Sequence, residues 1–112
     1  KLLEMEHNIV PRGSIEKMLL NFDYPTDESV TLDSIDFEVT FYTNKFSKVK
    51  IKKESCLREE LDGEVNYYAY LFTEELNEGL VKARLTAFVP DADSPEGIRA
   101  MMREGATNII LV

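Results

Sequence analysis

The chain lacks the residues that most catalytic and metal sites use. Among its 112 residues there is no tryptophan, one cysteine (Cys56) and one histidine (His7). A single cysteine cannot form a disulfide within the chain, so the fold has to be held by its core. Without histidine and cysteine clusters, we expect neither serine–histidine nor cysteine–histidine catalysis, and no zinc site. The sequence therefore predicts a non-enzymatic protein without a cofactor or a metal.

Two further absences concern partners. No apolar run is long enough to cross a membrane, and no signal-peptide pattern is present. The formal net charge is −8, which argues against a nucleic-acid partner because phosphate binding needs clustered lysine and arginine. The one basic stretch, residues 48–53, is more typical of a solvated strand face or a protected sheet edge. We therefore expect neither a nucleic acid nor a membrane as the partner.

The amino-terminal segment carries an unusual motif. Residues 10–14 are Val-Pro-Arg-Gly-Ser, which resembles the thrombin-type cleavage site of an expression linker. This pattern predicts that residues 1–14 are a tag and linker, and that residues 15–112 form a single domain. The alternative is a chance match, with residues 1–14 as a native arm.

Alternation of apolar and polar residues is the strongest structural signal. In residues 48–52, two apolar residues alternate with three lysines, and the same pattern fills residues 81–87. Period two puts the apolar side chains on one face of a strand and the polar ones on the other. We expect a shared core built from such faces: Phe37, Val39, Phe41, Val49, Ile51, Ala83, Leu85 and Ala87.

About seven short strands separated by turn residues predict an all-β fold, an immunoglobulin-like antiparallel β-sandwich. A small β-barrel is the alternative, because strand count does not separate the two. Seven predicted strands are residues 15–22, 35–43, 47–52, 65–72, 80–89, 99–103 and 107–112, and residues 55–59 are a further short one. Asp62-Gly63 predicts a tight hairpin turn, residues 73–79 predict one helical turn capped by Thr73, and Gly105 predicts a bulge or a bend.

The predicted strand at residues 65–72 is apolar on both faces, so it is either central in its sheet or in contact with a partner. Tyr67, Tyr68 and Tyr70 on this strand are the candidate interaction surface, for a protein or a sugar. Ordinary strand packing is the alternative explanation for these tyrosines. We also expect the domain to self-associate or dock through an exposed strand edge, where residues 5–10 can pair.

Acidic loops are the remaining candidates for chemistry. Asp91 and Asp93 share one loop, and two carboxylates one residue apart can contribute to a calcium site. The stretch from Pro90 to Gly97 lacks the spacing of a known calcium loop, so a solvated acidic turn is the favoured interpretation. A pair of carboxylates across a cleft, as in glycosidases, is the other open interpretation.

One pattern resembles a known family. Residues 36–41 (Asp-Phe-Glu-Val-Thr-Phe), 75–80 (Glu-Leu-Asn-Glu-Gly-Leu) and 90–93 (Pro-Asp-Ala-Asp) are similar to short prophage-type proteins of Bacteroides-like bacteria. More distantly, the pattern resembles the N-terminal immunoglobulin-like domain of phage baseplate upper proteins. The resemblance covers most of residues 35–97 and implies a structural domain of a phage or prophage tail or head appendage, with no active site.

The same resemblance implies partners and a location. The partners would be other protein subunits or further copies of the chain, forming a homo-oligomer. The location would be the virion or, before assembly, the bacterial cytoplasm. The alternative function is a carbohydrate-binding or adhesin-like sandwich module.

Overall fold

Two packed sheets of strands form the computed structural model, which describes residues 8–20 and 31–112. The strands are β1 (Asn8–Val10), β2 (Ile15–Leu20), β3 (Asp36–Asn44), β4 (Ser47–Lys52), β5 (Leu57–Leu61), β6 (Glu64–Phe72), β7 (Gly79–Pro90) and β8 (Ile98–Leu111). Short 3₁₀ turns lie at Lys53–Ser55, Thr73–Glu75 and Pro95–Gly97. Within the described ranges, no helix is long and apolar enough to cross a membrane.

The strand order is that of an immunoglobulin-like sandwich. One sheet has the order β1-β8-β7-β3-β4 and the other the order β2-β6-β5. In the immunoglobulin fold, strands B, E and D share one sheet and strands C, F and G the other. Here β2, β6 and β5 correspond to strands B, E and D, and β3, β7 and β8 correspond to strands C, F and G. The described strands form no closed barrel, so the sandwich prediction is confirmed and the barrel alternative is wrong.

The main core lies between the sheets and draws on both. Its buried members are Leu20, Phe37, Val39, Phe41, Tyr67, Ala69, Leu71, Leu76, Val81, Leu85, Ile109 and Leu111. The rings of Phe37 and Tyr67 meet edge to face across it, with centroids 5.3 Å apart. Burial of these alternating side chains is the main favourable term that holds the two sheets together.

Seven of the eight predicted core residues lie in or against this cluster. Phe37, Val39, Phe41 and Leu85 are buried in it, whereas Val49, Ile51 and Ala83 are half-buried and pack against it. The exception is Ala87, which packs with Ile35 and Val89 in a second, smaller cluster. We attribute the separation of the two clusters to strand length. β7 has 12 residues, whereas the longest strand of the three-stranded sheet has nine and cannot cover all of it.

The hairpin between β5 and β6 turns where the sequence predicts. Asp62 and Gly63 have φ angles of 53° and 82°. Positive φ at both central residues is the requirement of a tight two-residue hairpin turn, and glycine and aspartate tolerate it. The prediction from the Asp-Gly pair is therefore confirmed.

Three local predictions need correction. β8 is one strand rather than two, and Gly105 pairs regularly with Ala83 instead of forming a bulge. The irregularity lies opposite Val81, where the Thr107 hydroxyl donates to the Val81 carbonyl over 2.7 Å. Residues 73–79 contain only a short 3₁₀ turn, and the Thr73 side chain does not cap it.

The segment of residues 8–14, predicted to be part of a tag and linker, lies against the sandwich. β1 pairs in parallel with the end of β8, with Asn8 opposite Ile109 and Val10 opposite Leu111. Val10 packs against the main core because this pairing brings it to the inner face. Residues 5–7 of the pairing segment expected from the sequence lie outside the described residues. So do residues 21 and 22 of the first predicted strand.

The link from β1 to β2 is held by Arg12 and Thr73. Arg12 donates from Nε to the Leu76 carbonyl over 2.7 Å and from Nη2 to the Glu74 carbonyl over 3.1 Å. The fully buried Thr73 hydroxyl donates to the Ser14 carbonyl over 2.7 Å and accepts from the Gly13 amide over 3.0 Å. The Val-Pro-Arg-Gly-Ser motif is thereby part of the native hydrogen-bond network, whatever its origin.

Candidate functional site

The strand with the candidate tyrosines has two different faces. β6 is the central strand of its sheet, between β2 and β5. Tyr67 points into the core and is 5% exposed, so it does not belong to an interaction surface with the other two tyrosines. Tyr68 and Tyr70 point outward, because successive side chains alternate between the faces of a strand. The tyrosine surface expected from the sequence is thus corrected to two residues.

The outward side of the three-stranded sheet is unusually apolar. Cross-strand pairing sets Ile15 opposite Phe72 and Leu19 opposite Tyr68 on the same face, with Tyr70 between them. Ile15 is 57% exposed and Phe72 is 46% exposed. We call Ile15, Leu19, Tyr68, Tyr70 and Phe72 the outer patch. Sequence reasoning missed Ile15 and Leu19, although period two places them on one face with Lys17.

A single ion pair crosses the outer patch. Lys17 on β2 contacts Glu59 on β5 with an Nζ–Oε2 distance of 3.2 Å, and the hydrogen bond raises the pKa of Lys17. The same ammonium group lies 4.3 Å from the centroid of the Tyr68 ring. Lys17 thus spans the central strand and occupies a face of this aromatic ring, which reduces the ring surface open to a planar ligand.

The outward side of the five-stranded sheet is basic instead. A groove of about 690 Å³ lies there. We call it the basic groove; it is lined by Glu38, Thr40, Tyr42, Asn44, Lys45, Lys48, Lys50, Arg84, Thr86 and Met102. The lysines of β4 stand on this side because Val49 and Ile51 pack against the core. β4 is one of the two edge strands of this sheet, in agreement with the sheet-edge interpretation of the basic stretch.

Charge is strongly segregated between this side and the rest of the chain. Of the 12 lysines and arginines in the described ranges, six are on it, namely Lys45, Lys48, Lys50, Lys52, Lys82 and Arg84. Of the 16 acidic residues in the same ranges, three are on it, namely Asp36, Glu38 and Glu104. The side therefore carries +3, whereas the other described residues, with six basic and 13 acidic side chains, carry −7.

A three-residue cluster fixes one wall of the basic groove. The Tyr42 hydroxyl donates to the Glu104 carboxylate, and the Arg84 guanidinium lies 3.4 Å from the same carboxylate. The guanidinium carbon of Arg84 is also 5.7 Å from the centroid of the Tyr42 ring. The hydrogen bond from Tyr42, followed by the charge of Arg84, lowers the pKa of Glu104. β3, β7 and β8 are thus linked across the outer side of the sheet.

The Asp91 loop is a hydrogen-bonded turn. The Asp91 carboxylate accepts from the Asp93 amide and from the Ser94 hydroxyl, each over 3.0 Å. These two hydrogen bonds, the backbone one first, lower the pKa of Asp91. Both of its oxygens are engaged within the loop. Across residues 8–20 and 31–112, no group of three or more histidine, cysteine or acidic residues is placed to hold a metal ion.

Cys56 is half-buried against the main core. Burial raises the pKa of its thiol, so less of the reactive thiolate forms near neutral pH. The structure therefore places Cys56 with the packing residues, and among the described residues none lowers the pKa of its thiol.

The chain matches no protein-family model, and the comparisons with curated proteins and with solved structures found no match. The two outer sides of the sandwich, one apolar and one basic, are therefore the features from which a function can be argued.

Proposed function

We propose that this chain is a non-enzymatic assembly domain that docks onto another protein subunit through the outer patch. One observation carries the proposal: Ile15, Leu19, Tyr70 and Phe72 are all exposed on one side of one sheet. Contiguous apolar surface on a soluble domain costs solubility and marks interaction sites. Aromatic residues are also enriched in protein interfaces.

The setting we propose is a phage or prophage particle, in a tail or head appendage. This part of the proposal rests on the resemblance of residues 35–97 to phage structural domains. An immunoglobulin-like sandwich suits such a role, because each of its two sheets presents an outer side to neighbouring subunits. The mechanism is surface complementarity, without bond chemistry.

The carbohydrate-binding alternative is less well supported. A sugar needs an open aromatic face, whereas Lys17 already lies over the Tyr68 ring. Aliphatic Ile15 and Leu19 flank the two tyrosines, which favours a protein surface over a sugar ring as the ligand.

Binding of co-expressed subunits tests the proposal. The products of neighbouring genes and a glycan array are offered to the wild type, to Leu19→Ser and to Tyr70→Ser, with the exposed Glu54→Gln as the control. We expect a protein subunit to bind, and each patch variant to weaken it about tenfold or more, as expected when interface anchors are truncated. Glycan binding that depends on Tyr70, or subunit binding unchanged in both patch variants, would overturn the proposal.

A further inference from the structure

The hairpin between β5 and β6 presents an exposed leucine among carboxylates. Leu61, the last residue of β5, is 75% exposed. Glu60, Asp62 and Glu64 surround it in sequence, and the two-residue turn holds them in one conformation. We call Glu60, Leu61, Asp62 and Glu64 the acidic tip. Within the described ranges, Asp62 and Glu64 make no ion pair, whereas Glu60 pairs with Arg58 over 3.3 Å.

The basic groove has the complementary character. Its lysines surround a partly apolar floor, and Met102 at its side is 65% exposed. Lys48 and Lys82 face each other across Tyr42, and neither makes an ion pair with a described residue. An apolar side chain flanked by carboxylates would suit this groove, because the apolar group can pack on Met102 and Tyr42 while the carboxylates pair with the lysines.

We propose that the acidic tip of one copy docks into the basic groove of a second copy. The inference deepens the assembly function proposed above and rests on it, but it uses a different surface. Charge supports a second copy as the occupant, because the basic side carries +3 and the other described residues of the same chain carry −7. Opposite potentials steer such an encounter and fix its register.

The tip and the groove are different parts of the same chain. The acidic tip belongs to the three-stranded sheet, and the basic groove lies on the outer side of the five-stranded sheet. Each copy therefore offers one tip and one groove. Two copies that exchange tips form a two-fold dimer with two such contacts, and copies that each pass the tip to the next form a ring or a filament.

Salt dependence and charge reversal test the contact. The full chain is examined by sedimentation velocity at about 0.01 M and about 1 M salt, where the Debye length falls from about 30 Å to about 3 Å. We expect larger species at low salt that dissociate at high salt. Two variants change the charge of the contact: the groove variant Lys48→Glu/Lys82→Glu and the tip variant Asp62→Asn/Glu64→Lys. Each should sediment as a monomer, because its tip and its groove no longer attract each other. All four positions are exposed, so both variants should keep the fold.

The decisive measurement mixes the two variants. The groove variant keeps an acidic tip, and the tip variant keeps a basic groove, so an equal mixture should regain association at low salt. Circular dichroism and melting temperature verify that both variants fold. A wild type that is monomeric at both salt concentrations would overturn the inference, as would association that survives groove reversal or a mixture that stays monomeric.

The two proposals can fail separately. Tyr70→Ser alters only the outer patch and should leave the salt-sensitive association intact while it weakens binding of a foreign subunit. If the wild type shows no salt-sensitive association but binds a foreign subunit through the outer patch, only the tip-to-groove inference is overturned. If it shows salt-sensitive association but no binding through the outer patch, only the proposed docking function is overturned.

Discussion

Arg58 and Asp33 form a two-point ion pair, with Nε 2.7 Å from Oδ1 and Nη2 2.8 Å from Oδ2. The Tyr67 hydroxyl donates to the same carboxylate from the core side. Asp33 lies just before β3, Arg58 on β5 and Tyr67 on β6. The cluster therefore ties the segment that enters the five-stranded sheet to two strands of the other sheet.

This pair makes stability depend on pH on the acid side. The hydrogen bonds from Arg58, followed by that from Tyr67, hold the pKa of Asp33 well below its usual range. A carboxyl with a lowered pKa in the folded state stabilises the fold above its pKa in the unfolded chain, about 3.9. That contribution is lost as pH falls below this value. We expect Asp33→Asn to lower the melting temperature at pH 6 and to flatten its decline below about pH 4.

Glu54→Gln is the matched control for this prediction. Glu54 is exposed, lies close to the same cluster and makes no ion pair within the described part of the chain. Melting curves of both variants across acid pH give the comparison. Equal pH profiles for Asp33→Asn and the wild type would show that Asp33 is not held in its lowered-pKa state.

Period-two patterning predicts much of this fold, because one face of each strand must be buried. Val39, Phe41 and Leu85 occupy the core as their alternation indicates, and the Asp62-Gly63 turn follows from local backbone preference alone. Such signals lie within a few residues of each other, so they can be read without knowledge of the partner strands.

Contacts between distant residues could not be predicted in the same way. The pairing of β1 with β8 joins Asn8 to Ile109, and nothing local to either segment specifies the other. The outer patch likewise depends on register, since it needs Ile15 opposite Phe72. For the tyrosines, alternation alone separates Tyr67 from Tyr68 and Tyr70, but the sequence does not show which face is buried.

Leu85→Ala should destabilise the domain by about 2–5 kcal/mol. Leu85 is 6% exposed in the main core, and its truncation removes apolar contacts and leaves a cavity. Urea unfolding measures the change. Leu61→Ala is the control, since Leu61 is 75% exposed, and it should change stability far less. A loss below about 1 kcal/mol for Leu85→Ala would contradict its place in the core.

Thr73→Val should cost about 1–3 kcal/mol, because it removes the hydrogen bonds of a buried hydroxyl, each of which contributes about 0.5–1.5 kcal/mol. The two side chains have nearly the same shape, but the hydroxyl that serves the Gly13 amide and the Ser14 carbonyl is lost. Urea unfolding again gives the free energy. Thr31→Val, at an exposed position, is the control. Equal stabilities of the two variants would show that the Thr73 network does not hold the link between β1 and β2.

The Val-Pro-Arg-Gly-Ser motif should resist thrombin in the native domain. Cleavage after Arg12 requires its side chain to enter the protease, whereas here the guanidinium is bonded to the carbonyls of Leu76 and Glu74. The Gly13 amide on the other side of the scissile bond is bonded to Thr73. Cleavage therefore needs local opening, and its rate reports the stability of the segment.

A peptide of residues 8–16 and the chain in denaturant should both be cut rapidly, and the native chain much more slowly. Thr73→Val, which weakens the hold on Gly13, should speed cleavage of the native chain. Mass spectrometry of timed digests locates the cut. If the native chain were cleaved as fast as the peptide, residues 8–14 would be a loose arm, and the parallel pairing of β1 with β8 would not persist in solution.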